Sequence, residues 1–164
     1  MEEEELKLNI GAMGSEDLPH VLAIEATSFS LPWTREMFEG ELGLRAISRN
    51  LVAKVPCSPS GKGTSPELEV AGYICTWLLE QELHINNLAV ASGFRRKGVG
   101  RQLLRAALEM ARREGVRSAV LEVRASNLAA QRLYQSFGFR VAGVRRNYYS
   151  RPREDALIMR LDFS

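Results

Sequence analysis

Cysteine is scarce in this chain of 164 residues: only Cys57 and Cys75 carry thiols. Their spacing fits neither a zinc site nor a disulfide framework, so both are expected to be reduced thiols and no metal is expected. Charge of one sign is not in excess either, because 22 Lys and Arg face 20 Asp and Glu for a net charge of +2. That balance removes any global polyanion-binding signal and makes nucleic acid a poor first partner. No apolar run is long enough to span a bilayer, and residues 2–5 are all glutamate, the opposite of a basic leader. A cytoplasmic protein with no membrane partner is expected. No internal repeat is visible, and at 45% hydrophobic and 26% charged the chain suits one domain over residues 1–164 with a real core.

What is present is a succession of clear periodicities. Residues 6–10 alternate apolar and polar, as a half-buried first strand does, behind a solvated glutamate tail. From Ser15, a cap candidate, Leu18, Val21, Leu22 and Glu25 fall at helical spacing, which predicts a helix over about 16–26 with Pro19 tolerated in its first turn. Pro32 then stops one element and Thr34 can cap another, with Trp33 and Phe38 at the two positions of a hydrophobic staple. Residues 45–55 and 69–80 read as strands on either side of a Pro-, Gly- and Ser-rich insert at 56–66, expected to be a mobile hairpin loop without chemistry. The second strand is apolar nearly throughout and belongs inside a sheet, where Cys75 packs.

A further strand at 85–90 runs into a basic, glycine-punctuated turn and an amphipathic helix that starts near Gly98, buries Leu103, Leu104, Ala107, Leu108 and Ala111, and ends at Gly115. A strand at 118–123 and a helix carrying Ala130, Leu133, Tyr134 and Phe137, with Gly138 as its terminating residue, come next. Strands at 140–144 and 156–161, around a polar and aromatic loop at 145–153, close the chain. The order predicts an α/β (α+β) fold, a mixed sheet of about seven strands flanked by about four helices. The strand, helix, strand unit around Gly98 should be a right-handed parallel crossover.

The turn supplies the first candidate site. Arg95, Arg96, Lys97, Gly98, Val99, Gly100 and Arg101 bring basic side chains beside the free N–H groups and positive dipole end of a helix, which suits a pyrophosphate. It is not a P-loop, because residues 98–102 lack the Gly-Lys followed by Ser or Thr. Nor is it a dinucleotide fingerprint, since Leu103 stands where a third small residue is needed.

Glu122 lies at the carboxyl end of the strand expected beside 85–90, where ligands bind in open α/β sheets. A carboxylate there can serve as a base, or simply be a surface strand residue. Asn127 is most simply the N-cap of the next helix and could also bond the amides of an extended ligand. Tyr134 shares a helical face with core residues, yet its hydroxyl is a proton donor if it faces a cleft.

Taken together with residues 87–90, 121–127, 133–139 and 145–156, these motifs resemble the GCN5-related N-acetyltransferases. Within them the chain is similar to the branch that acetylates the N-terminal alanine of the eighteenth small-subunit ribosomal protein. The resemblance implies acetyl-CoA as donor, its pyrophosphate on residues 95–101 and its pantetheine arm along Leu88, Ala89 and Val90, with Asn127 touching the same molecule. It implies Glu122 as general base and Tyr134 as general acid, and it leaves Trp33, Tyr148 and Tyr149 to wall the acceptor channel. A protein N-terminus is then the partner. Lysine side chains or small amines are the alternative acceptors, and a non-catalytic ribosome- or RNA-binding module using the two arginine clusters is the rival from another class.

Overall fold

The computed structural model describes residues 6–56 and 68–163. The glutamate tail, Cys57 and all but the first residue of the 56–66 insert lie outside the described residues. Among those described, seven strands form one mixed sheet in the order β1-β2-β3-β4-β5-β7-β6. They are β1 (Asn9–Ala12), β2 (Ser48–Pro56), β3 (Leu68–Leu79), β4 (Glu82–Val90), β5 (Ser118–Arg124), β6 (Arg140–Ser150) and β7 (Arg153–Asp162). Four α-helices join them: α1 (Leu18–Ser28), α2 (Arg35–Gly43), α3 (Val99–Arg113) and α4 (Leu128–Ser136). The sheet separates two cores. Leu103, Leu104, Ala107 and Leu108 of α3 and Tyr134 of α4 pack on one face, and Leu18, Val21 and Ile24 of α1 with Phe38 of α2 pack on the other.

Local chemistry explains the helix ends. Thr34 Oγ1 accepts the Met37 N–H at 3.3 Å, and the Trp33 and Phe38 rings meet at 5.3 Å, so the staple closes as its spacing requires. Asn127 Oδ1 accepts the Ala130 N–H at 3.2 Å. At the end of α4, Gly138 takes φ +99° while its N–H bonds Gln135 O and the Phe139 N–H bonds Tyr134 O, the paired bonds of a Schellman motif.

Several boundaries differ from the sequence expectations. The first ladder spans Asn9–Ala12 rather than 6–10, although Leu6, Leu8 and Ile10 do pack on the core. Alternation reports which face a side chain takes, not where a partner strand begins. Ser15 does not cap α1: residues 15–17 form a 3₁₀ turn closed by the Gly14 N–H on Asp17 Oδ2, and α1 starts at Leu18. β2 begins only at Ser48, because Leu44 O holds the N–H groups of Ile47 and Ser48 in a turn. β4 and β7 both start three residues earlier than expected. The expected loop at 145–153 is mostly strand, since β6 continues to Ser150. β6 is an edge strand exposed along nearly its whole length, so its sequence carries no buried alternation to reveal it. A bulge at 146–148 re-aims it, with Asn147 at φ +54° and its N–H on Asp155 Oδ1 at 2.8 Å.

A second bulge matters more. Along β3 and β4, Cys75 pairs with Asn87 and Thr76 with Ile85, which leaves Asn86 as the extra residue. Leu83 and Ile85 therefore join the core under α3, whereas Asn87 and Ala89 face α1. Without the bulge all four would share one face. β4 and β5 are parallel, but their pairing ends at Ile85 and Leu121. Beyond the bulge they part.

Candidate active site

The divergence of β4 and β5 opens a cleft of about 510 Å³. It is lined by His84, Asn86 and Leu88 on β4, by Glu122 and Arg124 on β5, by α1 and the loop after it, and by α4 and β6. From residue 87 to 90 β4 pairs, among the described residues, with β3 and not with β5, so its edge towards β5 offers unpaired backbone groups. Asn86 Nδ2 is buried there with no hydrogen-bond partner among the described residues. The cleft thus combines an open strand edge with a stranded polar group.

Glu122 sits on β5 with its side chain 12% exposed. Its Oε2 lies 2.8 Å from His84 Nε2, and Oε1 lies 3.8 Å from an Arg145 guanidinium nitrogen. The His84 ring stands edge-on to Trp77, with the ring centroids 6.2 Å apart. Across the cleft, Tyr134 is 7% exposed and packs its ring on Phe139 at 5.7 Å. Burial, and then the neighbouring Tyr149, raise its phenol well above the ordinary range, so its proton is kept. Tyr149 is itself pushed up to about 12, first by burial and then by Tyr148.

Of the sequence-selected residues, Trp33, Leu88, Glu122, Asn127, Tyr134, Tyr148 and Tyr149 all line this cleft. Ala89, Val90, Arg95, Arg96, Lys97, Gly98, Val99, Gly100 and Arg101 do not; they lie along the rest of β4, the turn beyond it and the first residues of α3. In that turn Gly98 takes φ +79° and Arg96 φ +63°, both in the left-handed region. α3 then begins at Val99, and among the described residues no side chain caps its first amides. A Cβ on Gly100 would meet only Leu133 at 3.6 Å and Val90 at 3.7 Å, so packing does not demand a glycine there. The basic side chains are not all free: Arg95 Nε donates to Val90 O at 3.3 Å, and Arg101 lies over the Phe137 ring.

Several side chains of the cleft, Glu25 and His84 among them, escape the sequence reading. Glu25 served there only as a helical-spacing marker, yet it is 1% exposed and accepts from Asn87 Nδ2, the Trp33 N–H and the Tyr73 hydroxyl. A glutamate on the apolar stripe of a helix was the available signal. His84 lay one residue ahead of the strand as it was bounded, and a period-two count back from Asn86 would have placed it beside the cleft.

The chain matches the model of the acetyltransferase (GNAT) family over residues 20–139. It is 36% identical over 157 residues to the ribosomal protein bS18-alanine N-acetyltransferase of Salmonella typhimurium (strain LT2), a match covering 94% of this chain and 97% of that protein. The crystal structure of the ribosomal-protein-S18-alanine N-acetyltransferase from Escherichia coli is similar at a TM-score of 0.80 and 34% identity, over 96% of this chain and 95% of that one. Ard1 from Thermoplasma volcanium is similar at 0.80 and 28%, over 96% and 98%. No helix among the described residues is long and apolar enough to cross a membrane.

Proposed function

The chain belongs to the acetyltransferase (GNAT) family, and from that premise we propose that it transfers acetyl from acetyl-CoA to the α-amine of a protein N-terminus, that of alanine on ribosomal protein bS18. The observation that carries this reading is the cleft itself, where an unpaired β4 edge, the Glu122 carboxylate and the Tyr134 phenol face one space. The acceptor follows from relatives of that activity that match the chain nearly end to end.

When bound, acetyl-CoA supplies an acyl thioester. The first amides of α3 and the side chains of Arg95, Arg96, Lys97 and Arg101 hold its pyrophosphate, with Gly98, Val99 and Gly100 letting the backbone come close. Leu88, Ala89 and Val90 hold the pantetheine arm by strand-like hydrogen bonds, and Asn127 adds its carboxamide. Glu122 takes a proton from the incoming α-ammonium, directly or through water, because only the neutral amine has a lone pair to attack with. As the C–N bond forms and the C–S bond breaks, a backbone N–H near Leu88 steadies the charge on the carbonyl oxygen, and Tyr134 gives its retained proton to the departing sulfur. Trp33, Tyr148 and Tyr149 wall the acceptor.

Mass spectrometry of synthetic peptides incubated with the enzyme and acetyl-CoA tests this. A peptide that begins with the bS18 N-terminal sequence should gain one acetyl group at its α-amine, and an N-terminally blocked, lysine-bearing copy should gain none. Acetylation of the lysine or of a polyamine, with the α-amine untouched, would replace the acceptor assignment.

A further inference from the structure

Arg124, the last residue of β5, makes more connections than any side chain around the cleft, and none of the roles above uses it. Its Nη1 donates to Pro152 O at 3.1 Å and lies 3.4 Å from Glu154 Oε2; its Nη2 donates to Arg151 O at 3.0 Å and reaches Ser30 Oγ at 3.5 Å. The guanidinium also covers the Tyr149 ring at 4.1 Å. Ser30 Oγ donates to Arg151 O at 2.5 Å, which ties the same two segments directly. One planar cation thus joins the loop after α1 to the turn between β6 and β7. The first carries Trp33, and the second directly follows the end of β6 that carries Tyr148 and Tyr149, all three of which line the cleft.

We propose that Arg124 is the specificity-determining strap of the cleft, fixing the distance between these two walls and so the width left for the first residue of the acceptor. The inference rests on the cleft taking a protein N-terminus. A guanidinium presents its donors in a rigid fork that is charged at every working pH, so it can hold two loops in one register where separate weak contacts would let them drift. Loops joined in this way keep a slot narrow. Loops released from each other admit a larger side chain and grip a small one less well.

The test uses the full chain with Arg124→Ala, Arg124→Lys and Ser30→Ala, assayed on peptides that begin with alanine or with leucine. R124A should raise the KM for the alanine peptide and lower the preference for alanine over leucine, each by about tenfold, with the KM for acetyl-CoA unchanged. R124K should resemble R124A, because one ammonium cannot fork. S30A, which removes only an exposed hydroxyl, should move the same two quantities in the same direction by a smaller factor, and it decides the matter alone if R124A fails to fold. Wild-type peptide KM and preference in folded R124A and S30A would overturn the strap. The peptide assay of the wild-type enzyme separates the two levels: if no peptide α-amine is acetylated, the acceptor-site reading itself fails, whereas if the alanine peptide is acetylated while folded R124A keeps its preference, only the strap fails.

Discussion

The cleft is lined by one glutamate from α1 and another from β5, and the fold treats them in opposite ways. Glu25, on the α1 wall, is 1% exposed, and both its oxygens are occupied by neutral donors from β3, β4 and the loop after α1. Glu122, on the β5 wall, is partly solvated; its Oε2 meets the His84 imidazole, and no hydrogen bond reaches its Oε1 among the described residues. A buried carboxylate with every lone pair used is a tie between elements, and breaking it strands the donors. A carboxylate with one oxygen free, facing a space large enough for a substrate, can take a proton. The same side chain is architecture on one wall and chemistry on the other.

Glutamine tests that contrast most severely. Glu122→Gln should lower kcat about 10²- to 10⁴-fold while leaving Tm and the affinity for acetyl-CoA near wild type, as read by steady-state kinetics, thermal unfolding and calorimetry. Tyr134→Phe should follow at about 10²-fold with the same stability. Glu25→Ala should do the reverse: the Tyr73 hydroxyl, the Asn87 amide and the Trp33 N–H lose their acceptor together, for a loss of about 3 kcal/mol in denaturant unfolding. Its kcat per folded molecule should stay within about threefold, while the peptide KM rises as Trp33 comes loose. A collapse of kcat in E25A at unchanged stability would dissolve the distinction between the walls.

How much of this was legible in the sequence follows the range of the interactions. The caps at Thr34 and Asn127, the glycine turn into α3 and the glycine end of α4 are closed by neighbours within a few residues, so spacing alone located them. The order of strands and helices followed from their periods, and with it the placement of Glu122 at a strand end. Glu25 could not be read in this way, because its partners Tyr73 and Asn87 are distant in sequence and meet it only when the sheet is assembled. The bulge at Asn86 was equally hidden: two consecutive asparagines in an apolar strand were its only trace, and they do not say which of the pair is extra. The outer half of β6 failed for a third reason, since an edge strand wet on both faces has no pattern to show.

The partners of Glu122 offer finer tests of its wall. His84 is placed to hold Oε2 by a bond of normal length, and the loss of a hydrogen bond to a charged group is worth about 1.5 kcal/mol. His84→Ala should therefore lower kcat about tenfold, and His84→Gln, which keeps a donor near the same point, should recover most of it. Arg145 is a different kind of neighbour. Its side chain is 55% exposed and its nitrogen stands 3.8 Å from Oε1, so solvent screens the pair and no directed bond orients the carboxylate. Arg145→Gln should change kcat by no more than about twofold, a few tenths of a kcal/mol, and the small difference should vanish as salt is raised. If R145Q instead costs as much as H84A and does so at high salt, then Oε1 is held as firmly as Oε2. Glu122 would then be a fully tied carboxylate like Glu25, and the proton would have to be taken by another group in the cleft.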